Sequence, residues 1–174
     1  MSAPNPFVPL PPLTGERLLL RPLEESDLEA LYTAASDPLI WAQHPDPLRW
    51  QRDSFETRFF QGALSCGSAF VVEDLVTGRI IGSSRFYDWN ADTREVAIGY
   101  TFLQCQYWGR GYNAEMKHLM LIHAFAWAKR VWFHIGADNI RSRKAIEKIG
   151  GKLDSVREDP VNGTAIPYAW YVIE

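Results

Sequence analysis

The sequence predicts a mixed α+β fold on a mostly antiparallel sheet, and three observations predict it. Strand-period segments follow one another between Ala69 and Leu103, a long helical pattern starts at Tyr112, and one further strand and helix precede a closing hairpin. The order β, helices, three antiparallel strands, α, β, α, hairpin leaves a single parallel crossover.

Each element has its own signature. Residues 1–12 read as an extended or mobile arm, because Pro4, Pro6, Pro9, Pro11 and Pro12 forbid a helix. Residues 13–174 are expected to form one domain. Residues 17–20 read as a strand ended by Pro22. Residues 27–35 carry Leu28, Leu31, Tyr32 and Ala35 at helical spacing, and residues 52–64 carry Phe55, Phe59, Phe60 and Leu64, closed by Gly67. The period then changes to two in residues 69–75, 79–87 and 94–103, with turns at Val76-Thr77-Gly78 and Asn90-Ala91-Asp92. In the last of these strands Val96, Ile98, Tyr100 and Phe102 are expected on one face, and Glu95, Ala97, Gly99 and Thr101 on the other. Residues 112–129 read as a helix apolar nearly all round, and so deeply buried. A strand at 131–137 leads through Asp138-Asn139 to a helix at 140–149, stopped by Gly150-Gly151. Residues 153–157 and 165–173 form the final hairpin, turning across 159–163.

Composition narrows the function. The chain has 174 residues, 47% apolar, with 7 Trp, 7 Tyr and 9 Phe, enough for a core without disulfides. A net charge of -3 with interspersed signs lacks the basic footprint of a nucleic-acid binder. Cys66 and Cys105 form no CxxC pair and cannot alone supply a zinc site. His118 and His123, five apart, do not align on one helical face as metal ligands. No signal core or membrane-length apolar run is present, so a reducing, cytoplasmic location is expected.

One segment carries chemistry. Gln106-Tyr107-Trp108-Gly109-Arg110-Gly111-Tyr112-Asn113-Ala114-Glu115 lies between a strand and the start of the longest helix. Glycines let a ligand approach the backbone, and the first N–H groups and dipole of a helix suit a pyrophosphate, with Arg110 adding charge. The same residues also suit an ordinary glycine turn capping a helix. A Walker loop is excluded, since no Lys-Ser or Lys-Thr follows Gly111. Gly109 to Ala114 does fit the dinucleotide pattern G-x-G-x-x-A, with Asp138 as a ribose ligand, but Leu103 to Trp108 separate the strand from the glycines and the preceding strands are antiparallel.

Gln106-x-x-Gly109-x-Gly111 resembles the pyrophosphate loop of the GNAT superfamily of acyl-CoA N-acyltransferases. Tyr107 to Tyr112 with Glu115 is similar to the version in RimJ/RimL-type N-acetyltransferases. Asn139-Ile140-Arg141-Ser142 through Glu147-Lys148-Ile149-Gly150 resembles a second family stretch, and Leu18-Leu19-Leu20-Arg21-Pro22 with Asp27 resembles the opening strand and helix. The resemblance covers roughly residues 13 to 158, departing at Gly151, where an aromatic is usual, at Asn113, where a small residue is, and in the hairpin.

The resemblance implies splayed parallel strands, 94–103 and 131–137, with acetyl-CoA between them as co-substrate and no metal. Gly99 would carry a bulge. Backbone N–H groups of Tyr100, Thr101 and Phe102 would polarise the acetyl carbonyl. Gln106, Gly109, Arg110, Gly111, Tyr112, Asn113 and Ala114 would hold the phosphates, and Asn139 and Ser142 the pantetheine arm. Glu95 is the candidate base and Ser142 the candidate proton donor to the thiolate; both residues also suit structural roles, a strand-end ion pair and a helix-start hydroxyl. Residues His44, Trp50, Phe86, Tyr87 and Trp89 lie where the family often shapes its acceptor pocket, and most of these aromatics equally suit core packing. Deprotonating an α-amine near pKa ~8 costs only about 1 kcal/mol at neutral pH, against about 4–5 for a lysine amine near ~10.4. The implied activity is acetyl transfer to a primary amine of a protein N-terminus or small molecule, with a homodimer open. A non-catalytic acyl-CoA-binding regulator and a nicotinamide-dependent oxidoreductase are the alternatives.

Overall fold

The computed structural model describes residues 3–174. Eight strands form one twisted sheet: β1 (Leu13–Thr14), β2 (Leu18–Pro22), β3 (Ala69–Asp74), β4 (Ile80–Asn90), β5 (Glu95–Leu103), β6 (Arg130–Gly136), β7 (Lys152–Val161) and β8 (Thr164–Ile173). Their order is β1-β2-β3-β4-β5-β6-β8-β7. Among the described residues β5–β6 is the one parallel pair; every other neighbour is antiparallel. Helices α1 (Leu28–Ala35), α2 (Pro38–Trp41), α3 (Arg52–Phe55) and α4 (Gln61–Cys66) precede β3, with a π-helical turn, Glu56–Phe60, joining α3 to α4. Helix α5 (Tyr112–Phe125) crosses from β5 to β6, and α6 (Ile140–Lys148) follows β6. No helix among the described residues is long and apolar enough to cross a membrane.

Strand alternation divides the core between the two faces. Phe70 and Val72 of β3 join Met116, Met120 and Ala124 of α5 on one face; Val71, between them, joins Leu31, Trp41, Phe55 and Phe59 on the other. The expected short helix at 52–64 extends to Cys66, where Gly67 at φ +68° provides the left-handed stop. Helix α2 had not been expected. Its signal is present in Asp37-Pro38: the Asp37 carboxylate accepts the Leu39 N–H at 2.9 Å, with proline at the first helical position.

Five expectations meet a different structure. Residues 3–12 contain no helix, as the prolines require, but they are not a free arm. Phe7 is 1% exposed, with its ring 4.5 Å from that of Phe86, and Leu10 is also buried. Met1 and Ser2 lie outside the described residues. Helix α5 stops at Phe125 rather than 129, because the N–H groups of Lys129 and Arg130 turn to the Arg94 carbonyl and draw the chain into β6. Nor is it buried all round: Ile122 is 61% exposed, since only the Met116–Met120–Ala124 side meets the sheet. The closing hairpin turns at Asn162-Gly163, with φ of +49° and +83°, rather than across 159–163. An Asn-Gly pair supplies the left-handed backbone of a two-residue hairpin, so pairing continues to its edge. Lastly, β5 does not alternate evenly. Val96 and Ile98 face α5, whereas Phe102 joins Trp41 and Phe59 on the opposite face.

Candidate active site

The phase change in β5 builds the site. Arg85 pairs with Gly99 and Ser83 with Phe102, so Ser84 alone stands opposite both Tyr100 and Thr101. That extra residue is a β-bulge, and Tyr100 takes φ +51°. The bulge expected at Gly99 therefore falls one residue later. On its other side β5 pairs with β6 only over Glu95–Ala97 against Arg130–Trp132. Beyond that the two strands part, and the backbone from Ile98 onward has no strand partner on its β6 side. Between them opens a cleft of about 530 Å³ that reaches both faces of the sheet.

The floor of the cleft is polar. The Thr101 hydroxyl lies 2.7 Å from the Ser84 hydroxyl and accepts from Lys117 Nζ at 2.6 Å. Lys117, on α5, is 3% exposed with its ammonium 5.6 Å from the centre of the Phe133 ring. No carboxylate pairs with it among the described residues, and burial draws its pKa down to about 7. Sequence reading missed this residue. Its signal was one turn of helix: Lys117 is three residues before Met120 and seven before Ala124, on the buried side.

The glycine loop closes one end. After a 3-10 turn at Cys105–Tyr107, Gly109 and Gly111 adopt φ of +68° and +84°, and Gly111 caps α5. A side chain at Gly109 would meet open space, so its backbone is accessible to a ligand. Glu115 N–H is the first to reach an acceptor, Gly111 O at 3.1 Å, and the N–H groups of Tyr112, Asn113 and Ala114 have no partner among the described residues. The loop is fixed from behind. Trp108 Nε1 donates to Leu103 O at 2.9 Å, Tyr107 donates to Asp74, and Arg17 donates to the Arg110 carbonyl. Glu115 in turn accepts from Arg17 N–H and Nε, both at 2.8 Å. Burial raises the Glu115 carboxyl pKa, but these donors outweigh it and hold the group below its ordinary value.

The cleft gathers most of the expected binding residues: Tyr100, Thr101 and Phe102 from the bulge, Gly109, Gly111, Asn113 and Ala114 from the loop, and Asn139 and Ser142 from the start of α6. Asn139 is buried and caps α6 through Ser142 N–H at 3.4 Å, while Ser142 Oγ has no partner among the described residues. Three expected ligands do not line the cleft. Tyr112 turns into the core against Tyr107, under the Arg17 guanidinium, and Arg110 and Gln106 stand exposed, the Arg110 guanidinium donating to the Gln106 carbonyl.

Glu95, the candidate base, lies apart from the other expected site residues. It stands where β5 and β6 are still paired, at the far end of β5 from the bulge, and does not line the cleft. Its carboxylate accepts from Arg130 at 3.3 Å and from Trp132 Nε1 at 3.2 Å. Alternation alone could not reveal where along the strand the pairing ends.

The opposite wall comes from the α2–α3 connection, β6 and β8. This connection packs so closely that any side chain at Gly136 would collide with Pro45. His44 Nδ1 accepts the Asp46 N–H at 2.9 Å, and burial, reinforced by Arg49, draws its pKa down to about 3. The imidazole is therefore neutral, with its proton on Nε2. His134 Nδ1 lies 3.0 Å from the Tyr87 hydroxyl, with its ring stacked on Trp170. Of the other aromatics considered for an acceptor pocket, Phe86 and Trp89 pack in the α5-side core, and Trp50 packs on the other. Among the described residues no three metal-ligating side chains converge.

A family model described as a GNAT acetyltransferase domain matches residues 17–152. Similar solved structures include a GNAT-family acetyltransferase from Bacillus anthracis, 22% identical with TM-score 0.76, covering 94% of this chain and 98% of that one. A spermidine N-acetyltransferase from Vibrio cholerae, in complex with CoA and spermine, is 20% identical with TM-score 0.69, covering 91% and 96%. A RimL ribosomal L7/L12 α-N-protein acetyltransferase in complex with coenzyme A is 17% identical with TM-score 0.74, covering 94% and 97%. At these identities the likeness is one of fold. No curated protein matches the chain.

Proposed function

Because the chain belongs to the GNAT acetyltransferase family, we propose that it transfers an acetyl group from acetyl-CoA to a primary amine within the cleft between β5 and β6. The observation that carries this reading is the parting of the two strands at a backbone bulge, with a glycine-built helix start at one end. A thioester with a long, partly peptidic arm and a pyrophosphate fits that shape. The arm finds unpaired β5 backbone, and the phosphates find the free N–H groups of residues 112–114.

The donor supplies an acetyl carbon activated as a thioester. The chain's own residues supply the rest. Backbone N–H groups at the bulge, Tyr100 to Phe102, orient and polarise the carbonyl. Asn139 and Ser142 hold the arm, and the unpartnered Ser142 hydroxyl gives a proton to the departing sulfur. The amine forms the C–N bond as the C–S bond breaks, and it loses one proton to solvent water, which also restores the proton that Ser142 passes to the sulfur. Among the described residues no carboxylate lines the cleft to take that proton, so an α-amine, partly neutral near pH 7, is the chemically easier acceptor. Cys66 and Cys105 are free thiols, which supports a reducing compartment such as the cytoplasm.

Release of free thiol from acetyl-CoA, followed across a panel of primary amines, tests the proposal. Amine-dependent release supports it; release no faster with amine than without overturns it.

A further inference from the structure

Resting on that reading, the charge of the cleft points to a class of acceptor. We propose that the acceptor amine also carries a carboxylate, which the Arg49 guanidinium receives at the α2–α3 end of the cleft. Among the described residues the lining contains no Asp or Glu, while Arg49, Lys117, Arg141, Lys144 and Lys148 all contribute to it. Lys144, Lys148 and Arg141 belong to α6, beside the glycine loop. Arg141 is engaged, donating to Ile40 O at 3.0 Å with its guanidinium 3.7 Å from the Trp108 ring centre. On the wall built by the α2–α3 connection, the charge is Arg49.

Arg49 is 8% exposed, with its guanidinium 5.5 Å from the Trp41 ring centre and 5.7 Å from that of Phe59. Its Nε donates to Asp46 at 3.2 Å. Its two terminal nitrogens have no hydrogen-bond partner among the described residues. Asp46 does not fully answer this charge, because Arg58 holds the same carboxylate with two bonds of 3.0 Å. A third guanidinium stands close by. Arg85 is 6% exposed, has its carbon 3.5 Å from the ring centre of Tyr100, and forms no ion pair among the described residues. Its Nη2 reaches the Phe59 carbonyl at 3.2 Å, but its buried Nε has no partner. Two guanidinium groups, Arg49 and Arg58, thus share one carboxylate, and the nearly buried Arg85 beside them has none among the described residues.

Buried cations without counter-charge are costly, and a fork of free N–H groups matches a carboxylate with two parallel bonds. The neutral His44, carrying its proton on Nε2, adds a donor to the same wall. An acceptor that brings its own carboxylate would complete the charge balance and set its amine toward Tyr100. A polyamine would add positive charge to a lining that has no carboxylate to meet it.

The test compares three acceptors: glycylglutamate, the uncharged glycylglutamine amide, and spermidine. The first two present the same α-amine. With acetyl-CoA saturating, kcat/KM for glycylglutamate is expected to exceed that of the amide by about 10- to 150-fold, the range of a hydrogen bond to a charged group. Spermidine is expected to be poorest. In Arg49→Gln the ratio of the two peptides should fall toward one, chiefly through KM, whereas Arg49→Lys should keep part of it. A ratio near one in the parent, which needs no variant, overturns the proposal, as does spermidine proving best or an unchanged ratio in a folded Arg49→Gln. If no amine releases thiol although CoA binds, acetyl transfer itself has failed, and calorimetry then reads the anion site separately. Glycylglutamate should bind the CoA-loaded parent at least about 10-fold more tightly than Arg49→Gln; equal affinity or no binding overturns the site.

Discussion

Lys117 gives the sharpest quantitative expectation. Its ammonium is buried, bonded to Thr101 and unpaired by any carboxylate, and its pKa falls from 10.5 to about 7. Between pH 7 and pH 10.5 the unfolded chain therefore binds a proton that the folded chain does not, and stability must rise with pH in that window. Below pH 7 both states carry the proton, and the full penalty of burying the charge remains. The fall from 10.5 to about 7 corresponds to a penalty of up to about 5 kcal/mol. Lys117→Met removes the charge and keeps most of the volume. Its advantage over the parent should be largest at pH 6 and should shrink by about 2 kcal/mol between pH 7 and pH 9. Urea denaturation of both proteins at pH 6, 7, 8 and 9, without ligand, measures this difference, and titrations elsewhere in the chain cancel. A difference that stays constant across the series would refute the reasoning, because it would mean that Lys117 titrates alike in both states.

Other perturbations test the remaining supports. Gly109→Asp places a carboxylate beside the free N–H groups at the start of α5, in open space but at a left-handed φ of +68°; CoA affinity by calorimetry should fall about 10-fold or more, with a melting temperature lowered by the strain of one such residue, roughly 1 kcal/mol. Glu115→Gln should cost about 1–3 kcal/mol at pH 7 by loosening the bonds to Arg17. The folded carboxyl lies below its unfolded value, so its contribution is whole above the ordinary carboxylate pKa and is lost as pH falls through the folded one. The parent's advantage in urea should accordingly narrow toward pH 3. Phe7→Ala should destabilise by about 3–5 kcal/mol, and a melting temperature equal to the parent's would show that the N-terminal segment is no part of the core.

Much of this was legible before any coordinates. Local chemistry carries its own signature: Gly109 and Gly111 take the left-handed backbone that their motif implies, and Asn139 caps the helix whose start it marks. Period-two alternation located β3, β4 and β5. What stayed hidden depends on pairing between distant strands. Which end of β5 remains joined to β6 decided that Glu95 is an ion-pair partner of Arg130 and that Tyr100 lines the cleft. The bulge itself, two residues against one, reversed the face of Phe102 relative to Ile98 in a way that even alternation misreads. Prolines ruled out a helix near the N-terminus, but they said nothing about where Phe7 would pack. Arg49 lies in an irregular connection with no periodicity to mark it. Lys117 was legible in principle, as a charge on the apolar side of a helix, and was passed over because the surrounding residues read as core.

Acetyl transfer through the cleft is tested most directly by following the acetyl carbon. Acetyl-CoA labelled with ¹³C at the carbonyl is mixed with the protein and an α-amine acceptor, and the carbonyl region is recorded by NMR. The expected result is loss of the thioester resonance, matched one for one by an amide resonance, at a rate that depends on both protein and amine. Persistence of the thioester signal with CoA demonstrably bound, or its conversion to free acetate alone, would contradict the account.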